Sequence, residues 1–144
     1  MTGWMSAPDD LPRAPGAYAL RLVFVTPTPL PPRFGGLLAA GTYVYCGSAR
    51  GGGGLQARCA RHLAVDKTRR WHVDWLSATA AERAVWAVLG GDECALRAAL
   101  SAAGAAVPVP GFGSSDCPAC PSHLLLCPDG LDITAALRHA HNAR

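Results

Sequence analysis

Apolar positions fall into short runs punctuated by turn residues. Residues 17–25 (AYALRLVFV) partly alternate, with Tyr18, Leu20, Leu22 and Phe24 on one face, which predicts a strand. Residues 26–33 (TPTPLPPR) hold four prolines, which excludes a helix or a central strand. Residues 41–47 (GTYVYCG) predict a second strand, so an antiparallel pair with a long connection is expected. Leu55 to Ala64 has helical spacing, with Leu55, Cys59 and Leu63 on one face and Arg58 and His62 on its neighbour. Residues 71–77 (WHVDWLS) predict a short helix or turn, and residues 83–89 (RAVWAVL) a third strand. Asp92 is a good N-cap for a helix from Glu93 to about Ala102. Turn residues fill 111–122, His123 to Cys127 predicts a last strand, and Ile133 to His141 a terminal helix capped by Asp132. The sum is three or four strands mixed with three or four helices, an α+β or α/β sandwich.

Composition narrows this. A chain of 144 residues fits one domain, expected over residues 13–144 after a loose leader over 1–12. Half the residues are apolar and only 16% are charged, which supports a packed core and argues against disorder. Sixteen glycines and twelve prolines exclude a simple helical bundle. No apolar run reaches the roughly 18–20 residues that span a bilayer, and the N-terminal stretch has no signal-peptide pattern. A cytoplasmic protein with reduced thiols and no membrane partner is therefore expected. The net charge of +3 permits a nucleic-acid partner without requiring one. Much of that charge is local: Arg58, Arg61, His62, Lys67, Arg69 and Arg70 are accompanied by one acid, Asp66. This run is either a phosphate-tracking patch or a solvated helix face. The four glycines at 51–54 fit a hinge, a close approach to a ligand, or a tolerated insertion.

A second chemistry lies in Cys117-x-x-Cys120-x-x-His123, where two thiolates and an imidazole form a set suited to Zn²⁺. Cys94, Cys127 or His72 would be the fourth ligand. The spacing is tight for a structural zinc site, and the alternative is a buried polar loop with free thiols, in which Ser115 and Asp116 brace a site by hydrogen bonds. His72 and Asp74 sit in a Trp-His-x-Asp-Trp turn, readable as site residues or as a structural knot.

Gly16-Ala17-Tyr18, then Tyr45-Cys46-Gly47-Ser48-Ala49, then Arg58-Cys59-Ala60-Arg61-His62 follow one another in order. This order resembles the GIY-YIG nuclease superfamily, with Ala17 and Cys46 in place of the two middle isoleucines. Trp71-His72-Val73-Asp74, Glu93-Cys94, and the Gly-Phe-Gly-Ser-Ser-Asp-Cys run with Ser122-His123-Leu124 extend the likeness. They resemble a small prokaryotic branch catalogued as domain of unknown function 123, over about residues 13 to 128. The resemblance implies an α+β fold, a three-stranded antiparallel sheet (four-stranded if the last strand joins) flanked by helices. It also implies a metal-dependent endonuclease acting on DNA. Glu93 would hold Mg²⁺ or Mn²⁺, and its helix would approach the tyrosines through the sheet face.

The implied roles follow phosphodiester chemistry. The scissile group is anionic, so a divalent cation on a hard carboxylate ligand helps hydroxide approach and leaving oxygen depart. Arg58 would grip a non-bridging phosphate oxygen, with Arg61 its rival and Lys67 and Arg69 alongside. Tyr18 would orient or deprotonate the attacking water, which requires a nearby cation to lower its pKa from ~10. Tyr45 would support that network, and His62 would position phosphate or relay a proton. The competing expectations are a non-catalytic nucleic-acid-binding module of the same fold and a zinc-stabilised interaction protein. So small a nuclease core is expected to borrow targeting from a protein partner or from the shape of its substrate.

Overall fold

The computed structural model describes residues 3–112 and 122–142. In chain order these form β1 (Trp4–Met5), β2 (Gly16–Phe24), β3 (Thr28–Pro29), β4 (Leu37–Leu38), β5 (Gly41–Ala49), α1 (Gly54–Leu63), α2 (His72–Ser77), β6 (Glu82–Leu89), α3 (Glu93–Ala102), β7 (Leu124–Cys127) and α4 (Ile133–Asn142). Five strands make one antiparallel sheet in the order β1-β6-β2-β5-β7, and the proline-rich connection folds into a separate β3-β4 hairpin. The sheet is therefore larger than the three or four strands expected. A two-residue edge strand, β1, is too short for sequence alternation to reveal.

Strand β2 lies between β6 and β5 and is buried on both faces. Its alternation sends Tyr18, Leu20, Leu22 and Phe24 into one core, against Leu55 and Cys59 of α1 and Val73 and Leu76 of α2. Ala17 and Ala19 face the other core, with Val44, Cys46, Trp86 and Val88 under Leu96 and Leu100 of α3 and Leu137 of α4. Helices thus cover both sides of the sheet. Leu20 and Leu22, fully buried, each contribute roughly 1.5–3 kcal/mol of transfer free energy.

Two expectations change here. The segment before β2 is anchored rather than loose: the Trp4 indole N–H donates to Thr134 Oγ1 at 2.9 Å, the Arg21 guanidinium lies 4.5 Å from the Trp4 ring centre, and Leu11 is buried. On α1, the inner stripe is Leu55, Cys59 and His62, with Leu63 only partly buried. Positions i, i+4 and i+7 stack more closely along a helix than i, i+4 and i+8, so His62 is carried inward. Among the described residues no helix is long and apolar enough to cross a membrane.

Candidate functional site

Tyr18 of β2 lies directly opposite Gly47 of β5 in the antiparallel register. A Cβ on Gly47 would collide with the Tyr18 ring and hydroxyl, so the missing side chain of one strand is the seat of the tyrosine on the other. Tyr45 is the diagonal neighbour on the same face. The Tyr18 hydroxyl and His62 Nε2 are 2.6 Å apart, and the two rings pack with centres 5.0 Å apart. Tyr45 and Trp71 close around the imidazole with ring centres at 6.2 and 6.1 Å. Tyr18, Tyr45 and His62 therefore converge.

Burial decides their protonation. Tyr18 is 1% exposed and His62 is fully buried. Burial, reinforced by Tyr45, pushes the Tyr18 hydroxyl well above its ordinary pKa, and Arg58 offsets only part of this through its charge and a hydrogen bond. Desolvation, then the Lys67 charge, brings His62 down to about 3. Both groups are neutral near pH 7. The Tyr18 hydroxyl and the neutral His62 imidazole share one hydrogen bond, with the Arg58 charge close enough to act on the phenol. The expected lowering of the Tyr18 pKa does not occur: one guanidinium does not outweigh the loss of water.

The basic run divides. Arg61 donates to Asp74 Oδ2 at 2.7 Å and to the Thr68 carbonyl at 2.6 Å. Asp74 is fully buried, and Oδ2 also accepts from the backbone N–H groups of Arg70 and Trp71 at 2.8 and 2.9 Å. Burial alone would raise the Asp74 pKa, but those two N–H groups and Arg61 together hold it below its ordinary value. Lys67 Nζ donates to the carbonyls of Arg61 and His62 at the end of α1 and to Ser77 Oγ at 2.6 Å on α2. Burial holds its pKa down to about 8. Arg61 and Lys67 thus act as struts between α1 and α2, and Asp74 is the structural knot. Arg69 is exposed beside Trp75, its guanidinium 5.9 Å from the ring centre.

Arg58 behaves differently. It is half-buried, stacks 4.3 Å from the Trp71 ring centre, and takes part in no ion pair among the described residues. With Ser48, Arg50, Gly51 and Glu93 it lines an open hollow of about 400 Å³ at the end of the sheet. A smaller hollow of about 200 Å³ shares Arg58 and Gly51 with it and is bounded by Gly52, Gly54, Ala57, Arg61 and Trp71 among others. Glu93 opens α3, behind its cap Asp92, whose Oδ1 accepts from the Cys94 N–H at 2.9 Å. Since α3 packs on the face opposite the tyrosines, Glu93 does not approach them through the sheet. It meets Arg58 around the sheet's end. Arg97, the i,i+4 neighbour, donates instead to the Ser122 carbonyl at 3.0 Å.

Glu93 and Asp92 place two carboxylates and the Cys94 thiol so that their ligand atoms lie within 4.8 Å of one another. The carboxylates are hard donors open to water, which fits Mg²⁺ or Mn²⁺; the thiol does not. Arg50 was not singled out in the sequence, because a lone arginine after a strand carries no pattern. Its place in the hollow comes from the turn that follows β5. His72 packs its ring against Phe34 and Phe112, with centres at 5.1 and 6.0 Å. His123 is buried, and its backbone bonds to Phe112 and Cys46. Ser115, Asp116, Cys117 and Cys120 lie outside the described residues.

No curated protein and no solved structure matches the chain. One family model does, over residues 33–144, from the β3-β4 hairpin through the Arg58–Glu93 hollow to the C-terminal helix. The chain belongs to the family described as Domain of unknown function DUF123.

Proposed function

We propose that the chain is a metal-dependent endonuclease of GIY-YIG type that hydrolyses phosphodiester bonds of DNA. The observation that carries this reading is that Arg58 and Glu93, from opposite sides of the sheet, line one hollow, with the Arg58 charge beside the Tyr18–His62 pair. A half-buried guanidinium with one face stacked on Trp71 has restricted freedom, so it presents an oriented fork to a phosphate. Glu93, aided by Asp92, would hold Mg²⁺ or Mn²⁺, which when bound supplies charge neutralisation and leaving-oxygen stabilisation. Arg58 binds the non-bridging oxygens, where negative charge grows as the bond breaks. Arg50 adds a second cation at the hollow's rim. Tyr18 acts as a positioning residue, because its raised pKa makes it a poor base. Tyr45, the more exposed of the two tyrosines, would orient the attacking water.

The enclosure of Tyr18 also favours a second reading, a nucleic-acid-binding module without turnover. The two differ in one assay. Wild type and Glu93→Ala are incubated with single-stranded, double-stranded and branched DNA in Mg²⁺ or Mn²⁺. Nicking by wild type that disappears in a stably folded Glu93→Ala supports the nuclease. Equal activity removes Glu93 from the mechanism, and salt-dependent binding without cleavage by wild type supports the module.

A further inference from the structure

The glycine run is only half explained by the fold. Gly53 and Gly54 have φ of +84° and +58°, and a Cβ on Gly54 would strike the backbone of Ala14. Gly51 and Gly52 have no such φ, and a Cβ on either meets nothing within 4 Å. Glycine there costs conformational entropy and answers no demand of packing or turn geometry. Both residues line the hollow of about 200 Å³, whose other walls include Ala57 and the half-buried Trp71. Any larger side chain at Gly52 would take up its space.

We infer that this hollow receives the base of an unpaired nucleotide whose phosphate lies on Arg58; the inference rests on the nuclease reading above. The two hollows share Arg58 and Gly51, so they adjoin as phosphate and base do in one nucleotide. The neighbouring hollow is charged, as a phosphate needs, and this one is walled by glycine, alanine and the Trp71 ring with Arg58 and Arg61 stacked on it, as a base face needs. A paired base must first be unstacked and unpaired to enter it, which favours single-stranded or branched DNA as the substrate class. The glycine and alanine walls offer no side-chain hydrogen bonds, and Arg61 is already held by Asp74 and the Thr68 carbonyl, so base identity matters little.

Binding of wild-type protein in chelator to a fluorescent oligothymidylate and to an abasic sugar-phosphate oligomer of equal length tests this. The oligothymidylate is expected to bind about tenfold tighter. Gly52→Leu is expected to erase that difference while leaving the melting temperature unchanged or raised; Ala57→Leu fills the same space from α1 if the first variant folds poorly. Equal binding of the two oligomers by wild type, or a preference that survives both substitutions, overturns the inference. Failure of both oligomers to bind overturns the nucleic-acid reading itself.

Discussion

Arg58 and Arg61 stand three residues apart on α1 and both lie over Trp71, at 4.3 and 4.7 Å from its ring centre. One belongs to a rim and the other to a lock. Arg61 is held by a fully buried carboxylate and a carbonyl, in a region where Lys67 also bonds Ser77 between two helices. Arg58 faces a hollow shared with Glu93, whose carboxylate has no hydrogen bond or ion pair among the described residues. Charge density along a sequence is therefore a poor guide to a binding patch. What matters is whether each charge already has a partner that burial makes costly to release.

The lock and the buried pair beside it should register in stability, and the rim in ligand binding. The largest stability effect is expected from acid. His62 stays neutral in the folded state down to about pH 3, whereas an unfolded histidine takes up a proton near ~6.5. The unfolded chain binds more protons between those values, so stability is full above pH ~6.5 and declines as pH falls toward 3, by roughly 4 kcal/mol in total. Asp74 adds a loss as pH falls through its depressed pKa, below the ordinary carboxylate range. Denaturant melts across that range check this: His62→Gln should flatten the upper limb and leave the lower one. An unchanged slope would mean that the imidazole is solvated.

Next in size, Asp74→Ala removes the shared acceptor of Arg61, Arg70 and Trp71 and should cost roughly 3 kcal/mol, a fall in melting temperature on the order of 10 °C. The smallest effect is expected from Lys67→Met. It keeps the aliphatic stem but gives up bonds to the end of α1 and to Ser77, a loss of about 1 kcal/mol by chemical denaturation. A larger loss of DNA binding than of stability in this variant would return Lys67 to the phosphate-contacting set.

Elements with a strong period were legible in the sequence. Alternation along β2, the Asp92 cap and the helical spacing of α1 are local signals, and each element lies within two residues of its expected place. The antiparallel pairing of the two tyrosine strands was legible too, whereas the register that sets Tyr18 against Gly47 was not. Neither were three further features. β1 pairs with β6 across most of the chain, and two residues hold no period. The division between Arg58 and Arg61 depends on where α2 places Asp74, a tertiary fact. The raised pKa of Tyr18 depends on how completely α1 covers it, which no motif records.

The division between rim and lock is tested most directly by Arg58→Ala and Arg61→Ala measured side by side for thermal stability and for metal-dependent DNA cleavage per folded molecule. The two should cross. Arg58→Ala is expected to lose about 10²–10³-fold in turnover with its melting temperature nearly unchanged, whereas Arg61→Ala melts markedly lower and keeps most of its turnover. Greater loss of cleavage in Arg61→Ala, with Arg58→Ala the less stable protein, would contradict the assignment of Arg58 to the site and Arg61 to the fold.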